Sequence, residues 1–205
     1  MSYRRKDLQA RIEPITQEEW DRIKQAVPIV LARKAWISQD ARNYAEDCFN
    51  LVLDALWATG AHPSVFSAQR AGSPQIVQDD DGFLFVHKRP KTKKPLSIPI
   101  SRDLAVSLEE YLSKDSGSYS RQHIWRTLKE FSREAGVKGI NPRLIRHTVA
   151  HRIFREHGPT VVKETLGVSD ESLQYYMALG DKGRLKALRG SLQNPVRATS
   201  TKEAA

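Results

Sequence analysis

Arg143 and Arg146 stand three residues apart, followed by His147, His151 and Arg155, in a stretch that opens with Asn141-Pro142. A capping residue followed by an N1 proline starts a helix, so the two arginines share a face in its first turn. There the exposed backbone N–H groups of the helix start add to their positive charge. An anion such as a phosphate fits this arrangement, because a guanidinium meets two phosphate oxygens through its planar fork. A solvated basic helix face is the competing account. His147 and His151 have the i,i+4 spacing of metal ligands, but the intervening Thr148-Val149-Ala150 holds no carboxylate and no third ligand has an obvious place, so no metal site is expected.

A second concentration of charge is Lys88-Arg89-Pro90-Lys91-Thr92-Lys93-Lys94-Pro95, with five basic residues in eight. It separates two short strand-like runs and reads as a projecting turn. Lysines on such a finger suit insertion beside a nucleic-acid backbone, where each ammonium displaces condensed counterions. Tyr175-Tyr176 supplies a candidate nucleophile. A phenol with pKa near 10 needs help at neutral pH, which neighbouring guanidinium groups give while stabilising charge on a phosphoryl centre. Packing is the commoner fate of such tyrosines. Asp79-Asp80-Asp81 precedes Gly82 and reads as a solvated turn. No phosphate-binding glycine loop is present, and no cofactor is implied.

These residues need a scaffold. The chain has 205 residues, 40% of them apolar, and 33 Lys and Arg against 24 Asp and Glu give a net charge of +9. That is enough for one core and argues against a chain disordered throughout. One cysteine, Cys48, excludes an internal disulfide, and no apolar run is long enough to suggest a membrane span or secretory leader. Ile15-Thr16-Gln17-Glu18-Glu19-Trp20 carries a capping box and hydrophobic staple, with the helix expected to stop near Pro28. An apolar patch at Ile29 to Ile37 precedes a long buried helix through Tyr44, Cys48, Leu51, Val52, Ala55, Leu56 and Thr59, capped by Gly60. Gln75 to Val77, Gly82 to His87 and Leu96 to Ile100 read as strands. Then come a helix from Ser101 with Leu104, Leu108 and Leu112 inward, and one that buries Ile124, Leu128, Phe131 and Ala135. The second presents Arg121, Arg126, Lys129 and Arg133. The helix from Asn141 closes at Gly158-Pro159, and short helices follow at Thr160 to Leu166 and from Ser169 or Asp170. A basic amphipathic helix over 182–192 comes last. The expected fold is α+β, mainly helical, with a small three-stranded antiparallel sheet. The division is a basic arm (1–13), one domain (14–192) and a tail (193–205).

The order of these segments resembles the catalytic domain of the tyrosine recombinase (phage integrase) family. Arg143-Leu144-Ile145-Arg146-His147-Thr148 resembles its His-x-x-Arg-His-Thr box, and Leu166-Gly167-Val168 its Leu-Gly-His. Thr59-Gly60-Ala61-His62 resembles its Thr-Gly-x-Arg, and Lys91 to Pro99 its lysine hairpin. The resemblance implies that a tyrosine attacks a DNA phosphodiester to form a 3′-phosphotyrosyl link, with two arginines on the non-bridging oxygens and a lysine protonating the leaving hydroxyl. Carried over, Arg146 is the second arginine, Lys91 the lysine and Tyr176 the nucleophile, with Tyr175 as the alternative. His147 and Arg143 are the other catalytic candidates.

Three positions depart from the pattern: His62 stands for the first arginine, Arg143 for the first box histidine and Val168 for the second His or Trp. Losing one preorganised donor to a charged transition state costs about 3–4 kcal/mol, so strand exchange is expected to be very slow. Double-stranded DNA binding is expected to persist through Lys88, Arg89, Lys91, Lys93, Lys94, Arg121, Arg126, Lys129, Arg143 and Arg146. Family members carry a separate helical domain ahead of the catalytic one. With about 14 residues before the first helix, weaker or more cooperative binding is expected, since an arm bearing Arg4, Arg5, Lys6 and Arg11 cannot replace a folded half-clamp. The resemblance further implies a cytoplasmic, nucleoid-associated protein and a homo-oligomer joined through 182–192. The functions left standing are a regulatory, accessory or architectural DNA-binding protein, an active recombinase, or a protein-interaction module that has lost DNA binding.

Overall fold

A computed structural model describes residues 13–34, 36–66, 74–88, 95–113, 119–171 and 173–174. The basic arm before residue 13, the hairpin turn with Arg89, Lys91, Lys93 and Lys94, the Tyr175-Tyr176 pair, the helix expected over 182–192 and the tail lie outside the described residues. The element order is α1 (Gln17–Ala32), α2 (Gln39–Thr59), a short 3-10 turn (Pro63–Val65), β1 (Gln75–Asp79), β2 (Gly82–Lys88), β3 (Pro95–Ile100), α3 (Arg102–Ser113), α4 (Arg121–Glu134) and α5 (Pro142–Leu166). This is the mainly helical α+β arrangement, with an antiparallel sheet in the order β1-β2-β3.

At the start of α1 the capping box forms in full: Glu19 N–H donates to Thr16 Oγ1 at 3.2 Å, and Thr16 N–H to Glu19 Oε2 at 3.0 Å. Ile15 and Trp20 are both buried. The backbone N–H of Ile15 reaches Thr148 Oγ1 of α5 at 2.9 Å, tying the chain entrance to the helix that bears the arginines. One expectation fails here, since α1 does not stop near Pro28 but runs through it to Ala32. An interior proline costs about 3 kcal/mol or more. Downstream, Val30 and Leu31 are buried, each contributing about 1.5–3 kcal/mol, which offsets that cost. The apolar patch read at Ile29 to Ile37 is therefore split: its first part finishes α1, while Trp36 lies 84% exposed in the connection to α2.

Helix α2 buries Cys48, Phe49, Val52, Leu53, Ala55, Leu56 and Thr59. It ends at Gly60, whose φ of 58° is left-handed, and a Cβ there would meet Val149 Cβ of α5 at 3.1 Å. Both the conformation and the close approach require glycine. In the sheet, Asp79 pairs with Gly82 across a tight turn, within which Asp81 N–H donates to Asp79 Oδ1 at 3.1 Å, so the acidic triplet is the solvated turn expected. Phe85 pairs with Ile98 and His87 with Leu96, and these four residues are buried.

Rotation of α3 differs slightly from the reading of its leucines: Ala105, Leu108 and Tyr111 are buried, while Leu104 and Leu112 are half-buried. In α5 the helix is broken at Gly158 (φ 81°, ψ −179°), where Gly158-Pro159 was expected to end it. The principal core joins α1, α2, α4, the start of α5 and Phe85. A smaller cluster sets Ile98 against Val149, Ala150, Val162, Leu166 and Leu173. Among the described residues, no helix is long and apolar enough to cross a membrane.

Candidate nucleic-acid interface

Asn141 caps α5, its Oδ1 accepting from Leu144 N–H at 2.9 Å, and so fixes the turn that carries Arg143, Arg146 and His147. From this turn the Arg146 guanidinium reaches two distant carbonyls, donating to Gly60 O at 2.9 Å and to Leu166 O. Gly60 is the left-handed cap of α2, and Leu166 is the last residue of α5 before the left-handed cap Gly167. Helix C-termini carry partial negative charge, so the cation sits where two of them meet. The close approach of Gly60 to Val149 makes this geometry available. Arg146 is thus held by contacts 86 and 20 residues away in sequence.

His62 follows Gly60 by two residues and opens the 3-10 turn. Its Nδ1 accepts from Ser64 N–H at 3.2 Å and lies 2.7 Å from Ser64 Oγ. In the neutral ring the proton is therefore on Nε2, leaving a single N–H where a guanidinium would present five. Burial, then the charges of Arg121 and Arg146, hold His62 below the ordinary histidine range. On α5, Arg143 Nε donates to His147 Nε2 at 3.3 Å. Burial, then Arg143 and Arg146, push His147 down to about 4. At neutral pH the permanent charges here are therefore arginines, while these two histidines are neutral.

His87, the penultimate residue of β2, was read only as a strand residue in the sequence. It is 4% exposed, and neither ring nitrogen has a hydrogen-bond partner among the described residues. Such a group costs about 1–3 kcal/mol when left unsatisfied. Burial lowers its pKa, a backbone hydrogen bond at Lys88 opposes that shift, and the charge of Arg146 adds a smaller lowering. The strand alternation Phe83, Phe85, His87 was the available signal that its ring turns inward.

Helix α4 supplies the neighbouring cations. Ser120 Oγ caps it at His123 N–H, 3.1 Å away, and Arg121 follows beside His62, whose pKa its charge lowers. Arg126, Lys129 and Arg133 are exposed along the same helix. Its two acids are engaged elsewhere, Glu134 with Arg33 at 2.5 Å and Glu130 with Lys34 at 3.8 Å. Lys129 Nζ lies 4.8 Å from the centroid of Trp125, which is 39% exposed; this aromatic was not among the sequence candidates, although its i,i+4 spacing to Lys129 was visible.

The structure thus brings Arg143, Arg146, His147, His62 and Arg121 together, with Arg126 and Lys129 further along α4 and Lys88 exposed at the root of the hairpin. Val168 is half-buried against the smaller core cluster, so an aliphatic packing residue occupies the place where the resemblance implies a donor. The acidic turn lies at the other end of β2 from Lys88, a separation of roughly 20 Å for a strand of this length, and leaves the basic end uncovered.

A mainly helical domain of this kind, with an arginine-bearing helix start and a three-stranded antiparallel sheet, has the fold of tyrosine recombinase catalytic domains. Over 133 residues the chain is 32% identical to tyrosine recombinase XerA of Pyrococcus furiosus, covering 57% of this chain and 45% of the relative. It is 26% identical over 150 residues to tyrosine recombinase XerC of Roseiflexus castenholzii, covering 62% and 46% respectively. The chain spans about half the length of these curated relatives. Among solved structures, XerH site-specific recombinase bound to palindromic difH substrate, in a post-cleavage complex, matches with a TM-score of 0.62 at 14% identity, over 88% of this chain and 53% of that one. No protein-family model matches the chain.

Proposed function

We propose that this chain binds double-stranded DNA on a tyrosine-recombinase-like scaffold, is catalytically inactive, and acts as a regulator or as an accessory or architectural factor. The observation that carries the reading is the pairing of retained cations with altered donors. Arg146 is fixed between two helix ends with Arg143 and Arg121 nearby, whereas His62 offers one neutral N–H and Val168 offers none. Phosphate contacts that position a duplex need only the first set. Strand cleavage needs both, because each missing donor to the charged transition state removes about 10²–10³ in rate. The relatives are recombinases, and their sequence likeness to this chain supports DNA as the partner. The single domain over 14–192, flanked by arm and tail, and a homo-oligomer joined through 182–192 belong to the same reading.

The test is a nicked suicide duplex, with binding followed by anisotropy in parallel. The expected result is salt-sensitive binding without a denaturation-resistant covalent adduct. An adduct that disappears in Tyr176→Phe would overturn inactivity and assign the chain to the active site-specific recombinases. Absence of any duplex binding at about 0.1 M salt would overturn the DNA reading and leave a protein-interaction module.

A further inference from the structure

His62 is half-buried at the head of the 3-10 turn Pro63–Val65. The charges that bear on its ring come from two helices, Arg121 of α4 and Arg146 of α5, and Gly60, two residues earlier, holds the Arg146 guanidinium through its carbonyl at 2.9 Å. The two ring nitrogens have different tasks. Nδ1 closes the turn's own cap, accepting from Ser64 N–H at 3.2 Å and standing 2.7 Å from Ser64 Oγ, whereas Nε2 has no hydrogen-bond partner among the described residues. Capping needs only the first nitrogen, and a serine or aspartate would supply that acceptor. The imidazole adds an N–H that points away from Ser64. Ser64 Oγ adds a second property, because a hydroxyl can donate to a neutral Nδ1 or accept from a protonated one. The ring can therefore gain a proton and keep its seat. In the free protein burial opposes that gain first, and Arg121 and Arg146 second; an anion held against Nε2–H offsets the opposition of the two arginines.

We propose that His62 makes duplex binding proton-linked: a DNA phosphate accepts from Nε2–H while Nδ1 takes a proton from solvent and donates it to Ser64 Oγ, so that affinity rises as pH falls. The inference rests on the DNA-binding reading and adds regulation to it. An arginine would hold its charge at every pH and repel Arg121 and Arg146 in the free protein. The histidine brings its charge only when acid or a bound phosphate calls for it. Ser64 is a positioning residue, keeping the ring oriented in both protonation states.

The full chain is titrated into a short fluorescent duplex at fixed salt, with anisotropy read between about pH 7.5 and pH 5.5. The parent is expected to bind roughly tenfold more tightly at the acid end, the gain of one charge-assisted hydrogen bond, and with a salt slope steeper by about 0.9. His62→Gln keeps an N–H donor and a cap acceptor but cannot titrate. It is expected to stay within about threefold of the parent at neutral pH and to lose most of the pH dependence, which separates His62 from the other histidines. His62→Arg is expected to bind at pH 7.5 as tightly as the parent at pH 5.5, with little further gain on acidification, and to unfold at lower urea. Ser64→Ala is expected to move the rise in affinity to lower pH. A role confined to capping the turn would leave the pH profile unchanged in all three variants. If the duplex binds but the parent gains nothing on acidification, or His62→Gln gains as much as the parent, the inference is overturned while the DNA reading stands. If no duplex binds at either pH, both are overturned.

Discussion

Burial first, and neighbouring arginine charges second, keep His147 and His62 neutral. The pKa of His147 falls from 6.5 to about 4 through burial first and the charges of Arg143 and Arg146 second. Between those values the unfolded chain binds a proton that the folded chain refuses. The associated stability is present in full above pH 6.5 and is lost as the pH falls toward 4. His62 is shifted in the same direction by burial, Arg121 and Arg146. The urea midpoint of the free protein should therefore drop between pH 7 and pH 5, with a shallower dependence in His147→Gln. A midpoint that rises or stays constant on acidification would contradict this electrostatic picture. His62, at the position where the resemblance implies an arginine, follows the same logic. A third permanent cation beside Arg121 and Arg146 would add repulsion to the free protein, which a neutral ring avoids.

At the scale of elements, the junction of α2 with α5 decides the site. Gly60 ends α2 in a left-handed conformation, lies against Val149 and offers its carbonyl to Arg146. Gly60→Ala should destabilise the fold by roughly 1–3 kcal/mol, from the left-handed backbone and the crowding together. Val149→Ala in the same chain removes the two γ-methyls but keeps the Cβ, the nearest atom, and should recover only part of the crowding. Denaturation of the two single variants and the double variant measures this coupling, and additive losses would show that the contact is not the constraint described. Much of the element pattern was legible in the sequence, because caps, turns and strand alternation are local: Thr16 with Glu19, Gly60, Asn141-Pro142, and the alternation through Phe85 and His87. The end of α1 was not, since burial of Val30 and Leu31 outweighs a proline signal that is correct locally. The candidate arginines were also legible as residue types at helical spacing. Their arrangement was not, because Arg146 is held by carbonyls of Gly60 and Leu166 that only tertiary packing brings to it. His87 was missed for a related reason, as alternation points a side chain inward but says nothing of whether a partner awaits it.

Over the whole molecule, charge is sorted rather than merely abundant. The acids of α4 are drawn toward α1 by Arg33 and Lys34, and the acidic turn sits at the far end of β2 from Lys88. Arg121 stands beside His62 at the start of α4, and Arg126 and Lys129 are exposed further along the same helix, with Trp125 beneath Lys129. Under the proposed function these cations gather a duplex by releasing its counterions, and each phosphate neutralised adds about 0.9 to the slope of log affinity against log salt. The most direct measurement is that slope, for the parent chain and for a variant with Arg121, Arg126 and Lys129 all changed to Ala. The account predicts a steep negative slope in the parent, shallower by about 2–3 in the variant, with the fold intact. An unchanged slope, or a parent that does not bind duplex DNA, would contradict it.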